Sequence, residues 1–226
     1  MRAAEQSTLF APSRLPRRPY CSDDVRTNGL FRQPLDKALS RSHIQFNPAA
    51  MVYWLVFDID IRGGADTWQD AGLPPPNIAI TNPANGHAHL WYGLEVPVCR
   101  TDAARIKPLE FLAVIQYSMT KALRADPCYA GLVAKNPVSN AWSTEWLHSF
   151  AYGMPELAEY LTLPKRLPKR AVDHGLGRNC TLFHELRQWA YANIREYRSG
   201  RRWADWSAAT LSQAEALNGV VSENGQ

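Results

Sequence analysis

The residues best suited to chemistry lie at the end of the most hydrophobic run in the chain, where Phe57 is followed by Asp58-Ile59-Asp60. In a strand, side chains at i and i+2 share a face, so Asp58 and Asp60 point the same way and Ile59 turns to the other side. Two carboxylates held that close repel each other unless a cation sits between them. Magnesium or manganese suits such a site, since hard cations prefer carboxylate oxygens and leave room for substrate phosphates. Polymerases and nucleases use this arrangement for phosphoryl transfer. A solvated strand end also carries Asp, so the pair alone does not decide the matter.

A second pair strengthens the metal reading. Gly86-His87-Ala88-His89 places two imidazoles at i and i+2 behind a glycine turn. Imidazoles can bind metal or donate to phosphates. If the two segments are neighbouring strands, carboxylates and imidazoles converge on one patch.

The elements that must position these groups can be read from the pattern. Val52 to Phe57 is continuously apolar, as in a strand buried on both faces. Short strands are expected at Asn77–Thr81 and His87–Leu94, joined as a hairpin by the turn-forming Asn82-Pro-Ala-Asn-Gly86. From Thr101 to Ala125 the period changes. Ile106, Leu109, Leu112, Ile115, Met119 and Leu123 recur at three- and four-residue steps and predict an amphipathic helix. Strands followed by helices indicate an α+β domain.

The expected organisation is a flexible arm at 1–30, a catalytic domain at 31–161, a basic, proline-containing linker at 162–175, a helical module at 176–206 and a tail at 207–226. In the helical module Leu182, Leu186, Trp189, Ile194 and Tyr197 form an apolar stripe. The linker contains Leu163-Pro-Lys-Arg-Leu-Pro-Lys-Arg170, whose prolines resist helix. Between 161 and 203 ten basic residues face three acids, whereas residues 1–160 balance at fifteen of each. The basic excess is therefore confined to one segment, which suits nucleic acid. A solvated basic face would have the same composition.

The four cysteines, at 21, 99, 128 and 180, form no C-x-x-C pair, which argues against a zinc ribbon or a disulfide framework. The longest apolar run is far too short to span a bilayer, and no signal peptide is visible, so a cytoplasmic protein is expected.

Taken in order, Asp58-x-Asp60, Pro76-Asn77, Asn82-Pro83, Gly86-His87-Ala88-His89 and Lys135-Asn136-Pro137 resemble the replicase family of plasmid and phage initiators. These are theta-type proteins, as in colicin plasmids, within the archaeo-eukaryotic primase superfamily. Gly177-Arg178-Asn179 with Leu182-Phe183 and Arg187-x-Trp189-Ala190 resembles the primase C-terminal module that follows such domains. The resemblance implies a primase-like (RRM-like) antiparallel-sheet core with flanking helices, then a small helical module. It also implies primer synthesis on a DNA template from nucleoside triphosphates, with Mg2+ or Mn2+ as cofactor.

In that scheme Asp58 and Asp60 hold metal, with Asp126, just after the long helix, taken as the third acid. His87, His89 and Lys135 would bind nucleotide, and Lys165, Arg166, Lys169, Arg170 and Arg178 would bind DNA. The implied partners are a plasmid or phage origin and a host DNA polymerase, with no membrane.

Two other readings use the same residues. A rolling-circle nickase would bind one metal through His87 and His89 and attack with Tyr117 of Tyr117-Ser-Met-Thr-Lys121. A non-catalytic DNA-binding initiator fragment would need only the basic segment.

Overall fold

The computed structural model describes residues 9–101, 103–127, 129, 131–165, 178–198, 200 and 202–223. The chain divides into two units, 1–167 and 168–226.

The first unit is α+β, as the sequence predicts. Its main sheet is formed by β4 (Met51–Ile59), β6 (Ala88–Cys99), β5 (Ile78–Thr81) and β8 (Ser143–Trp146), in that spatial order and antiparallel throughout. From Trp54 to Ile59 the β4–β6 register is constant, which sets Asp58 directly opposite His89. The register shifts between Val52 and Trp54. Asn47 pins this irregularity: its Oδ1 accepts the Tyr53 and Trp54 amides, and its Nδ2 donates to the Trp54 carbonyl.

The alternation of side chains divides the core in two. Leu55, Phe57, Ile59, Leu90, Tyr92 and Leu94 point to one face. There they meet Leu112, Ile115 and Met119 of the long helix at Ile106–Ala122, together with Leu157 of Met154–Glu159. Trp54, Val56, Ile78, Ile80 and Trp91 point to the other face and pack with Leu9, Phe10, Leu15, Phe46 and Ala134.

That second face is covered by a small sheet of four short strands. These are β1 (Tyr20–Ser22), β2 (Phe31–Arg32), β3 (His43–Ile44) and β7 (Ala134–Lys135), in the order β2-β1-β3-β7. The expectation of a loose arm over 1–30 therefore does not hold for residues 9–30. Leu9, Phe10 and Leu15 are buried, and Cys21 in β1 is fully so. Burial of Leu9, Phe10 and Leu15 against the Trp54/Trp91 face, and of Cys21 against Ala38 and Ile44, offsets the entropy that a polar, Arg- and Pro-rich stretch would otherwise keep.

Short helices at Val25–Asn28 (α1), Leu35–Ala38 (α2) and Thr67–Asp70 (α3) connect the strands. With these, the long helix is α4, Met154–Glu159 is α5, and the second unit holds α6 (Arg178–Arg198) and α7 (Trp203–Glu223). Within that unit Trp189 stacks on Trp206 at 5.6 Å between ring centroids, and Tyr197 packs on the same indole. The expected module ended at 206, with a tail from 207. Instead α7 runs through that tail to Glu223, so the described residues of the unit form a helical pair.

Candidate active site

The site is built where the main sheet meets the small one. Asp58 lies two residues beyond Val56, and His89 two before Trp91, so both side chains leave the sheet on the side covered by β3 and β7. Asp60 follows at the strand's end. Asp126 arrives from α4 by a backbone contact: its amide donates to the Asp58 carbonyl at 2.8 Å, on the open edge of β4. One oxygen from each of Asp58, Asp60 and Asp126 lies within 4.8 Å of the others.

The β5–β6 turn delivers the histidines. Asn82 Oδ1 accepts the Ala84 amide, Asn85 Oδ1 accepts the His87 amide, and the Gly86 amide donates to the Asn82 carbonyl. Gly86 has φ +77, and a Cβ there would sit 3.1 Å from Arg62 Cγ and 3.3 Å from the backbone at Arg62 and Gly63. Only glycine meets both demands at this position. The expected hairpin is thus present, and the turn lies against the chain just after Asp60.

His87 Nδ1 lies 3.1 Å from Asp60 Oδ1, with a third of its side chain exposed. His89 is buried. Its Nδ1 accepts the Lys135 backbone amide at 3.1 Å, which leaves the proton on Nε2, 3.0 Å from Asp58 Oδ1. Burial pushes the His89 pKa below 6.5, so the ring is held neutral in this tautomer.

Lys135 is also buried, with Nζ 3.7 Å from Asp58 Oδ1. Burial lowers its pKa, against the pull of Asp58 and Asp60. At Asp58 burial acts to raise the pKa, but His89 and Lys135 outweigh it and hold the carboxyl below its usual range.

Despite these neighbours, no hydrogen bond of good geometry reaches the buried Asp58 Oδ1. Three carboxylates and two imidazoles thus gather around one buried ammonium. An oxygen-only donor set with a buried oxygen lacking a full partner fits a hard divalent cation, and the residues that would hold it are Asp58, Asp60 and Asp126.

The remaining motif residues act as fasteners. Asn136 is fully buried; its Nδ2 donates to the Leu39 and Arg41 carbonyls and its amide to the Ser42 carbonyl, which ties β7 to β3. Asn77 accepts the Gly93 amide and donates to the Phe150 carbonyl. Sequence reasoning missed His43 and Trp142. His43 pairs with Lys135 across β3–β7, and Trp142 packs edge-on to it at 5.2 Å. A lone His before Ile in a two-residue strand gives no periodic signal.

Tyr117 is not part of this cluster. Its helix, α4, packs on the opposite face of the main sheet from Asp58 and His89. There the Lys121 ammonium sits 5.7 Å from the Tyr117 ring centroid. Of the expected DNA contacts, Lys165 is exposed at the end of the first unit. Arg166, Lys169, Arg170 and the Arg178 side chain lie outside the described residues.

The Replicase family model matches residues 14–161, which contain every carboxylate and imidazole of the site. The chain belongs to the Replicase family. The Replicase match also takes in Leu15, one of the N-terminal residues packed on the Trp54/Trp91 face. No curated protein matches the chain significantly. Among solved structures, the chain is similar to the AEP domain of the cyanophage S-2L primase-polymerase (PrimPol). The two share 12% identity and a TM-score of 0.49 over 68% of this chain and 92% of that one. Among the described residues, no helix is long and apolar enough to cross a membrane.

Proposed function

We propose that this Replicase-family protein is a primase-type nucleotidyltransferase of plasmid or phage replication, joining nucleotides into a short primer on a DNA template. The observation that carries this reading is the convergence of Asp58, Asp60 and Asp126 beside a buried lysine and two histidines. Magnesium or manganese bound there would neutralise charge developing on the transferred phosphoryl group.

The chain's own residues do the rest. Asp58 is oriented by His89, and Asp126 is anchored to the same strand through its amide. Lys135 and His87 are the donors on hand for the phosphates of a nucleoside triphosphate, since the one N–H of His89 is turned to Asp58. The small sheet and the N-terminal segment close one side of the sheet against water. Template binding falls to the basic segment with Lys165, Arg166, Lys169, Arg170 and Arg178, through contacts that salt should weaken steeply. A host polymerase would extend the product, in the cytoplasm where template and nucleotides meet.

The placement of Tyr117 behind the sheet disfavours the nickase, which needs its nucleophile beside the metal. A purely DNA-binding fragment leaves the buried Asp58–His89–Lys135 arrangement without a role. The test is template-directed incorporation of labelled nucleotide with Mn2+. Wild type and Tyr117→Phe should both form product, while Asp58→Ala should lose at least about a hundredfold. Robust synthesis by Asp58→Ala, or a covalent protein–DNA adduct lost in Tyr117→Phe, would refute the proposal.

A further inference from the structure

We propose that His43 is a further nucleotide-contacting residue, whose Nε2 accepts a hydrogen bond from a sugar hydroxyl of the bound nucleoside triphosphate. The inference rests on the nucleotidyltransferase reading above and adds a residue from a different sheet.

Three observations carry it. First, His43 and Lys135 are directly paired across β3–β7, so their side chains leave the small sheet on the same face. The Lys135 ammonium reaches to within 3.7 Å of Asp58, so that face looks onto the carboxylates.

Second, the tautomer of His43 is fixed by its neighbour. The Ser42 hydroxyl has one proton and donates it to the Asp23 carbonyl at 2.7 Å, with the Ser22 carbonyl a longer second acceptor at 3.2 Å. Its contact with His43 Nδ1 at 3.0 Å must then be one in which Ser42 Oγ accepts. Nδ1 therefore carries the ring proton and Nε2 presents a lone pair. This is the reverse of His89, whose Nδ1 is the acceptor.

Third, the ring is held in place from the side. Trp142 packs edge-on against it, and the indole is itself anchored by Nε1 donating to the Ser42 carbonyl at 2.6 Å. Lys135 Nζ lies 6.0 Å from the Trp142 ring centroid, so imidazole, indole and ammonium form one wall.

The chemistry of that wall selects the group bound. Burial first, then the Lys135 ammonium, depress the His43 pKa and keep the ring neutral. A lone pair repels phosphate oxygens, which are themselves acceptors, and the adjacent ammonium disfavours a cation at Nε2. Phosphates go to Lys135, and His43 is left to take a donor. The donors of a nucleoside triphosphate are its sugar hydroxyls and base amino groups. The hydroxyls are nearer in the molecule to the phosphates that Lys135 would hold.

The test is equilibrium binding by the full chain, in magnesium and without template, of ATP, dATP, dideoxy-ATP and inorganic tripolyphosphate. His43→Ala should weaken ATP by about threefold to tenfold, the worth of one neutral hydrogen bond, and dATP equally where the bound group is the 3′-hydroxyl but not where it is the 2′-hydroxyl. Dideoxy-ATP and tripolyphosphate should be unchanged, and His43→Gln, which restores an acceptor, should recover most of the loss. Should His43→Ala fail to fold, Ser42→Ala, which frees the tautomer, should give a smaller loss with the same selectivity.

Equal losses for all four probes, or none, would overturn the assignment while leaving the primase reading intact. Selective loss in a protein that makes no primer would keep the His43 contact and remove the primase reading. A wild-type chain that binds none of the four would overturn both.

Discussion

His89→Leu probes the link between the two sheets. Leucine fills a similar volume, so the change removes two polar contacts rather than opening a large cavity. The Lys135 backbone amide loses its acceptor at 3.1 Å inside a buried strand, which costs about 1–3 kcal/mol. The contact with Asp58 at 3.0 Å is lost as well. Because Oδ1 has no well-aligned hydrogen bond, that contact counts near the low end, about 1 kcal/mol. The sum is about 2–4 kcal/mol, or a fall in Tm of roughly 5–15 °C for a unit of this size. Urea unfolding followed by tryptophan fluorescence would measure it, since Trp54 and Trp91 lie on the same face of the sheet. A second signature follows. With His89 gone, burial acts on Asp58 with less opposition, so the carboxyl should titrate at higher pH than in wild type. A variant within about 0.5 kcal/mol of wild type, with an unmoved acid limb, would refute the argument that His89 clamps Lys135 to Asp58.

Two further outcomes are expected. Gly86→Ala should destabilise by about 1–3 kcal/mol, because alanine must adopt φ +77 and press on the Arg62–Gly63 backbone; chemical denaturation would show this, together with a displaced His87 resonance. Stability should fall as the medium is acidified from about pH 7 to 5. His43 and His89 bind protons less readily in the fold than in the unfolded chain, so the stability they contribute is complete above 6.5 and is lost as pH drops through 6.5 toward their folded values. Asp58 acts in a separate window: its contribution is present above 3.8 and is lost as pH falls through its lower folded value. Urea midpoints across the range should show both steps, the upper one reduced in His89→Leu.

Much of the main sheet and part of the site could be read from the sequence, for reasons that concern particular residues. The Asp58/Asp60 pair was legible because it ends an apolar run with a two-residue period, and the β5–β6 hairpin because Asn82 to Gly86 is rich in turn formers. The α4 stripe was equally plain. Asp126 had no local signal: a backbone bond to the edge of β4 brings it to the pair, and no residue spacing reports such a contact. The small sheet was missed because strands of two or three residues carry no period, and its Arg- and Pro-rich flank reads as unstructured. His43 and Trp142 went unnoticed with it. The continuation of helix through α7 also escaped, since its apolar residues do not gather on one clear face.

The central claim is that three carboxylates, drawn together from a strand end and a helix exit, form one catalytic metal site. Asp126→Ala tests it most directly, because Asp126 joins the others through the fold alone. Template-directed nucleotide incorporation should be measured across a Mn2+ titration, with unfolding checked in parallel. The account predicts a folded variant whose incorporation falls by at least about a hundredfold and is not restored by excess Mn2+. Incorporation at the wild-type rate by that folded variant would contradict it.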